Sequence, residues 1–140
     1  MSAQPDGLLD TSTVVLLSQL SDPDVLPARP TISTVTLAEL SVGPLVATTD
    51  AERAARQAHV QQAEHDFEAI PFDAAAARAF GGVAASLRAA GRKPAARAFD
   101  ALIAAVAVSR DLPLYTVNAG DFTGIAGLDV RAVPHPAAEV

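Results

Sequence analysis

The sequence predicts an α/β fold in which a mostly parallel sheet of five strands is flanked by helices. Short apolar segments alternate with longer helical segments, which is the order that strand-helix-strand units produce. The segment 112–117 is apolar without polar alternation, as expected of a parallel strand buried on both faces. A length of 140 residues with 50% hydrophobic content suits one compact domain. We expect a single domain over residues 1–140, with its core at about 7–133 and flexible ends at 1–6 and 134–140.

The first half of the chain predicts two units, each a strand followed by a helix. The predicted elements are a strand at 7–10, a helix at 13–20, a strand at 31–33, and a second helix that Gly43-Pro44 should end or kink. Thr11 or Ser12 can cap the first helix, because a hydroxyl there accepts a hydrogen bond from a free backbone N–H group. Glu39 lies inside the second helix.

The second half predicts three helices and three strands. They are an exposed, charged helix at 50–66, a strand near 69–72, a helix between Asp73 and Gly91, a helix at about 95–110, and strands at 112–117 and 129–133. Asp73 can cap its helix, and Gly91 can end it. In the helix at 95–110 four apolar side chains have core-facing spacing: Phe99, Leu102, Ile103 and Val106.

The composition excludes several classes of protein. The chain holds no cysteine, which rules out disulfides, thiolate nucleophiles and cysteine-ligated zinc. A net charge of -6 and a pI near 4.8 argue against holding nucleic acid over a broad basic surface. The longest apolar run, at 101–108, is too short to span a bilayer. Residues 1–6 at the start contain no basic residue before an apolar stretch, unlike a secretory signal. We therefore expect a cytoplasmic protein without membrane contact.

Four acidic residues stand in apolar surroundings. They are Asp10, Glu39, Asp100 and Asp121. A carboxylate is costly to desolvate unless it is paired or bound to a cation, so these positions predict a divalent metal. Asp10 and Asp121 lie at the carboxyl ends of predicted strands, and ligands gather beyond the carboxyl ends of parallel strands. For Asp100 alone, an equally good interpretation is a carboxylate that stabilises the positive start of its helix.

A cluster of basic residues precedes Asp100. It comprises Arg88, Arg92, Lys93 and Arg97. The carboxyl-terminal end of a helix carries a partial negative charge that attracts cations. The simplest interpretation of these basic residues is therefore a solvated helix end. If Asp100 is a metal ligand, then Arg92, Lys93 and Arg97 become candidates for contacts with a substrate phosphate.

At four places the chain resembles the PIN-domain ribonucleases, and among them the VapC-type toxins of bacterial toxin-antitoxin pairs. The matching segments are Leu8-Leu9-Asp10-Thr11-Ser12, Ser33-Thr34-Val35-Thr36-Leu37-Ala38-Glu39-Leu40, Arg97-Ala98-Phe99-Asp100-Ala101-Leu102-Ile103-Ala104-Ala105 and Leu114-Tyr115-Thr116-Val117-Asn118-Ala119-Gly120-Asp121-Phe122. Each segment is common by itself. Their order and separation in a chain of this length are specific.

The resemblance implies a PIN-like three-layer fold with strand order 3-2-1-4-5 and an acidic site for Mg²⁺ or Mn²⁺. In this pattern Asp10, Glu39 and Asp100 match the first three acids, and Asp10 and Asp100 are the most direct metal ligands. Relatives differ at the fourth acid, which we assign to Asp121. The expected supporting groups are Ser12 and Thr116 as hydroxyls, and Asn118 as a neutral oxygen ligand or a donor beside the ligands.

The resemblance also implies partners. They are an RNA substrate, a small VapB-like antitoxin whose chain crosses the acidic pocket, and a second copy of the chain in a homodimer. The apolar stripes at 13–20 and 36–45 are candidates for the antitoxin contact.

Two alternatives to a ribonuclease toxin stay open. One is a catalytically silent PIN-like binding module, and the other is a different metal-dependent phosphohydrolase. A haloacid-dehalogenase-type phosphatase would place a second aspartate where this chain has Ser12. A receiver domain would place a lysine after the strand at 112–117, where none stands.

Overall fold

The computed structural model describes residues 5–139. Of the predicted flexible ends, residues 1–4 and 140 lie outside the described part of the chain. Asp6 already belongs to the first strand, and Pro136–Glu139 form a 3₁₀ helix. The flexibility of the ends stays a prediction.

The described chain contains five strands and five α-helices. The strands are β1 (Asp6–Leu9), β2 (Arg29–Ser33), β3 (Ala69–Ile70), β4 (Leu114–Thr116) and β5 (Val130–Ala132). The helices are α1 (Thr11–Leu16), α2 (Thr34–Val42), α3 (Asp50–Asp66), α4 (Ala74–Ala89) and α5 (Ala98–Arg110). The predicted elements are therefore present, with ends that shift by a few residues.

The strands form one sheet in the order β3-β2-β1-β4-β5, and every neighbouring pair is parallel. This confirms the predicted α/β class and strand order. In the register of the central strand, Leu8 lies opposite Thr31 of β2 and Leu114 of β4. Because all strands run the same way, their carboxyl ends share one edge of the sheet.

The core lies on both faces of the sheet. Leu8 and Leu9 are both fully buried and point to opposite faces, as successive strand residues do. Leu8 packs in a cluster with Val83 of α4 and Ile103 of α5, whereas Leu9 packs in one with Val60 of α3. Burial of one such leucine contributes roughly 1.5 to 3 kcal/mol. The result is the predicted arrangement of three layers, with helices on both sides of the sheet.

Two local predictions were wrong. Neither Thr11 nor Ser12 caps α1, because the helix begins at Thr11 and Asp10, in extended conformation, accepts the bond from Thr13 N. Phe99 does not enter the core, since its side chain is 49% exposed. The buried part of α5 starts only at Ala101, so the first turn of that helix stays open to solvent.

Other predicted boundaries hold. Helix α3 spans the predicted 50–66, Asp73 caps α4, and Gly91 has the positive φ of 77° typical of a residue that ends a helix. Within residues 5–139, no helix combines the length and apolar character needed to cross a membrane.

Candidate active site

Asp10 links the end of β1 to the start of α1 and is almost completely buried, with 2% of its surface exposed. Its Oδ1 accepts bonds from the backbone N–H group of Thr13 at 3.1 Å and from the Thr13 hydroxyl. Its Oδ2 accepts bonds from the hydroxyls of Ser12 at 2.8 Å and Thr116 at 2.9 Å. Four donors thus compensate for the desolvation of this carboxylate and fix its orientation.

The same hydroxyls connect β4 to the site. Thr116 Oγ1 accepts a bond from Asn118 N at 2.9 Å, and Thr13 Oγ1 accepts one from Val117 N at 3.1 Å. The loop after β4 is therefore held against Asp10. The hydroxyls of Ser12 and Thr116, predicted as supporting groups, both contact Asp10. Asn118 joins the network through its backbone N–H group, and the residue is exposed.

Glu39 enters the site from α2. Its Oε1 accepts a bond from the Thr11 hydroxyl at 2.6 Å. Thr11 Oγ1 lies 3.0 Å from Thr36 Oγ1, and because the Thr11 proton is directed to Glu39, Thr36 acts as the donor to Thr11. Partial burial raises the pKa of Glu39, and the negative charge of Asp10 raises it further. The hydrogen bond from Thr11 lowers the pKa and so opposes this increase.

Asp100 lies in the first turn of α5 and is partly buried. Desolvation raises its pKa to about 6, and repulsion from Asp121, Asp10 and Glu39 acts in the same direction. The guanidinium of Arg97 opposes the increase. The charges of the other three predicted acids therefore all act on Asp100, although the four acids come from four separate segments of the chain.

Arg97 pairs with two of these acids. Its Nη1 atom lies 3.1 Å from Asp121 Oδ2 and 3.8 Å from Asp100 Oδ2. The arginine is more than half exposed, so this contact is weak and open to competition. A bound cation at the two carboxylates would compete with Arg97 for the same oxygens.

Arg92 holds the turn that carries Asp121, a 3₁₀ helix at Ala119–Phe122. Its Nη1 donates to the carbonyl oxygen of Thr123 at 2.7 Å, and its Nη2 donates to that of Asp121 at 3.2 Å. Arg92, exposed Lys93 and Arg97 line an open cleft of about 390 Å³ together with Asp100 and Asp121. The predicted basic residues therefore border the acids, and their contact with a substrate phosphate stays a prediction.

The donor set suits a hard divalent cation. Mg²⁺ prefers oxygen ligands and retains several waters, so one or two carboxylates are enough to hold it. Within residues 5–139, no three acidic or histidine side chains are arranged to ligate an ion together. The pocket thus fits a hydrated ion on two carboxylates better than a cage made entirely of protein ligands.

Sequence reasoning missed three residues of the hydroxyl network: Thr11, Thr13 and Thr36. Thr13 follows Asp10 by three positions, the spacing of a helix cap and its partner, so this contact had a local signal. Thr36 precedes Glu39 by one helical turn on α2, but its bond to Thr11 crosses 25 positions of sequence. Only the packing of α1 against α2 reveals that contact.

Comparisons with known proteins identify the family of this chain. The PIN domain model matches residues 8–128. Ribonuclease VapC5 of Mycobacterium tuberculosis is 39% identical over 130 residues, which cover 91% of this chain and 93% of the relative.

Solved structures show the same likeness. The crystal structure of VapBC-5, a member of the VapBC family of toxin-antitoxin systems from M. tuberculosis, matches with 38% identity and a TM-score of 0.80 over 93% of this chain and all of the matched chain. DNA-bound VapBC from Salmonella typhimurium matches with 25% identity and a TM-score of 0.77 over 92% of this chain and 98% of the other. The chain therefore belongs to the PIN-domain family, among its VapC-type members.

Proposed function

We propose that this protein is an endoribonuclease that acts as the toxin of a toxin-antitoxin pair and hydrolyses RNA phosphodiester bonds with Mg²⁺ or Mn²⁺. The observation that carries the proposal is the electrostatic coupling of Asp100 to Asp10, Glu39 and Asp121, four acids from separate segments of the chain. The 39% identical relative is named a ribonuclease, which supports this choice among phosphohydrolases.

In this proposal Asp10 and Asp100 hold the metal, and Glu39 and Asp121 complete the pocket or orient water. The bound ion would make a water acidic enough to supply the attacking hydroxide and would offset charge on the phosphate. The hydrogen bonds from Ser12 and Thr116 fix Asp10, so its oxygens need little reorganisation during the reaction.

Glu39 is suited to hold a proton. Its raised pKa makes it a better base than an exposed glutamate, and its Oε1 is already oriented by Thr11. We assign Oε2 of Glu39 as the atom that accepts a proton from water.

The direct test is cleavage of total RNA by the purified protein with Mg²⁺, with Mn²⁺ and with chelator. Cleavage should require either metal and should vanish in Asp100→Asn. Asp24→Asn is the matched control, because it removes an exposed carboxylate that does not line the cleft at Asp100 and Asp121. Intact RNA under all metal conditions would contradict the proposal and favour the silent binding module.

Growth arrest on expression, relieved by Asp100→Asn, would distinguish a toxin from a housekeeping nuclease.

The proposed protein partner is a small VapB-like antitoxin. The matched structures from M. tuberculosis and S. typhimurium are of VapBC proteins, which supports this class of partner. The predicted contact segments 13–20 and 36–45 contain the exposed side chains Val15, Val42 and Leu45, which a partner could cover. The homodimer and the cytoplasmic location stay predictions.

We expect Arg92→Ala to lower kcat by roughly ten- to a hundredfold with little change in KM. Arg92 holds the backbone at Asp121, and small displacements of a catalytic group have costs of this size. The measurement is steady-state RNA cleavage, with the exposed Arg88→Ala as the control. A raised KM at unchanged kcat would contradict this role and assign Arg92 to the substrate phosphate instead.

We expect saturating Mg²⁺ or Mn²⁺ to raise the melting temperature of the protein. A ligand that binds only the folded state adds about 2.7 kcal/mol at a concentration one hundred times its Kd. For a domain of this size that corresponds to about 9 °C. Differential scanning calorimetry of the parent and of Asp100→Asn measures the effect, and an equal shift in both would place the ion elsewhere.

A further inference from the structure

Phe99 carries the only exposed aromatic ring among residues 5–139. Its side chain is 49% accessible, although it stands at a core-facing position of the α5 pattern. The other five aromatic residues are buried or partly buried: Phe67, Phe72, Phe80, Tyr115 and Phe122. An exposed ring gives up the stabilisation that burial would supply, so its position invites a functional explanation.

The ring borders the acidic pocket. A second open cleft, also of about 390 Å³, lies beside the one that Arg92 and Lys93 line. Its lining residues are Glu39, Ala95, Arg97, Ala98, Phe99 and Asp100, of which Arg97 and Asp100 also line the first cleft. Two of these residues are proposed members of the acidic site, and Arg97 contacts both Asp100 and Asp121. The apolar ring thus lies directly beside the place where a phosphate would be cleaved.

We propose that Phe99 is a platform on which one base of single-stranded RNA stacks, next to the bond that is cleaved. Aromatic rings stack on any unpaired base, and one such contact strengthens binding by roughly five- to a hundredfold. A nucleotide placed here would have its base on the ring and its phosphate near the carboxylates and Arg97. This inference rests on the proposed ribonuclease function.

The lining of the cleft favours a nucleotide over a protein partner. Around Phe99 stand two carboxylates, one guanidinium and two alanines, whereas the core of a protein interface is depleted of charge. A base with a flanking phosphate presents an apolar face and an anion side by side. This matches the neighbouring ring and the positive charges of Arg97 and a bound metal.

A single tryptophan tests the contact, because the chain contains none. Phe99→Trp would place a fluorescent indole in the cleft, and Leu45→Trp places one at an apolar position that is 83% exposed on another element, as a control. The probe is oligoadenylate of about 12 nucleotides with cleavage-resistant phosphorothioate linkages, titrated with Mg²⁺ present so that the positive charge near the phosphate is kept. We expect saturable quenching in Phe99→Trp and little in Leu45→Trp. No quenching, or equal quenching in both, overturns the inference.

A second measurement separates stacking from a structural role. Phe99→Ala should weaken binding of oligoadenylate about tenfold, by fluorescence anisotropy, while an abasic oligomer of equal length should bind the parent and the variant alike. If both oligomers lose affinity equally, or if Phe99→Ala instead changes the oligomeric state in sedimentation, the ring does not stack on a base.

The two proposals fail in different ways. RNA left uncleaved with either metal contradicts the nuclease, whereas quenching at position 99 still supports the stacking platform. If RNA is cleaved but Phe99→Trp shows no quenching and Phe99→Ala shows no base-dependent loss of affinity, only the stacking platform is contradicted.

Discussion

Asp100→Asn should abolish RNA cleavage and at the same time stabilise the metal-free protein at neutral pH. Asparagine preserves the volume of the side chain but removes the charge that would hold the cation, so we expect a loss of at least about a thousandfold, or ~4 kcal/mol. In the metal-free protein that charge is unfavourable, because it is partly buried beside Asp121, Asp10 and Glu39. One substitution therefore separates activity from stability.

The pH dependence of stability follows from the pKa of Asp100, which rises from 3.8 to about 6 on folding. Well below pH 3.8 the carboxyl is protonated in both the folded and unfolded protein and contributes nothing. As the pH rises through 4 to 6 the unfolded protein releases its proton first, so the fold loses stability, and the loss is complete above about pH 6. An asparagine side chain at this position does not titrate and carries no such penalty.

We expect Asp100→Asn to be more stable than the parent by about 1 kcal/mol at pH 7 in chelator. Without screening, a change in the pKa of Asp100 from 3.8 to about 6 would correspond to about 3 kcal/mol. The side chain is 27% exposed, so solvent screens part of this energy. Urea unfolding at pH 4 and pH 7 measures the difference, which should shrink at the lower pH. A variant less stable than the parent at pH 7 would show that Asp100 is not repelled by its neighbours.

Asp10→Ala should abolish cleavage too, but with the opposite effect on stability. The substitution leaves the N–H group and hydroxyl of Thr13 and the hydroxyl of Thr116 without their acceptor in a buried place, and it removes the cap of α1. Lost caps and unsatisfied buried donors each cost about 1 to 2 kcal/mol, and some hydroxyls can turn to new acceptors. We expect a net loss of about 3 kcal/mol.

Calorimetry should show this loss as a melting temperature about 10 °C below that of the parent. Asp24→Ala serves as the control, because Asp24 is exposed and lines neither of the two clefts at Asp100. Asp10→Asn should be milder, since its amide oxygen can still accept bonds from Thr13. Equal melting of Asp10→Ala and the parent would mean that the hydrogen-bond network at Asp10 does not stabilise the fold.

The sequence was sufficient for the fold because its signals were local or repeated. Alternating strands and helices predicted the class, and Gly91 and Asp73 marked helix ends through their own backbone preferences. The four acids were visible because a charge inside an apolar segment needs a compensating partner. The order of the strands came from the resemblance to PIN domains.

The remaining features depend on contacts between distant segments. The bond between Thr11 and Thr36 forms only once α1 and α2 pack together, and no pattern within either helix signals it. The exposure of Phe99 was missed because helical periodicity identifies a face but does not show where the covering layer stops. The pairing of Arg97 with Asp121 likewise needs two segments to meet in space.

The bond between Thr116 and Asp10 spans 106 positions of sequence and joins the first strand to the fourth. Such distant pairing makes folding slow, because a long loop must close before the contact contributes. A chain still being synthesised contains Asp10 more than one hundred residues before Thr116. This buried carboxylate therefore gains its hydroxyl donor from β4 only when most of the chain has been made.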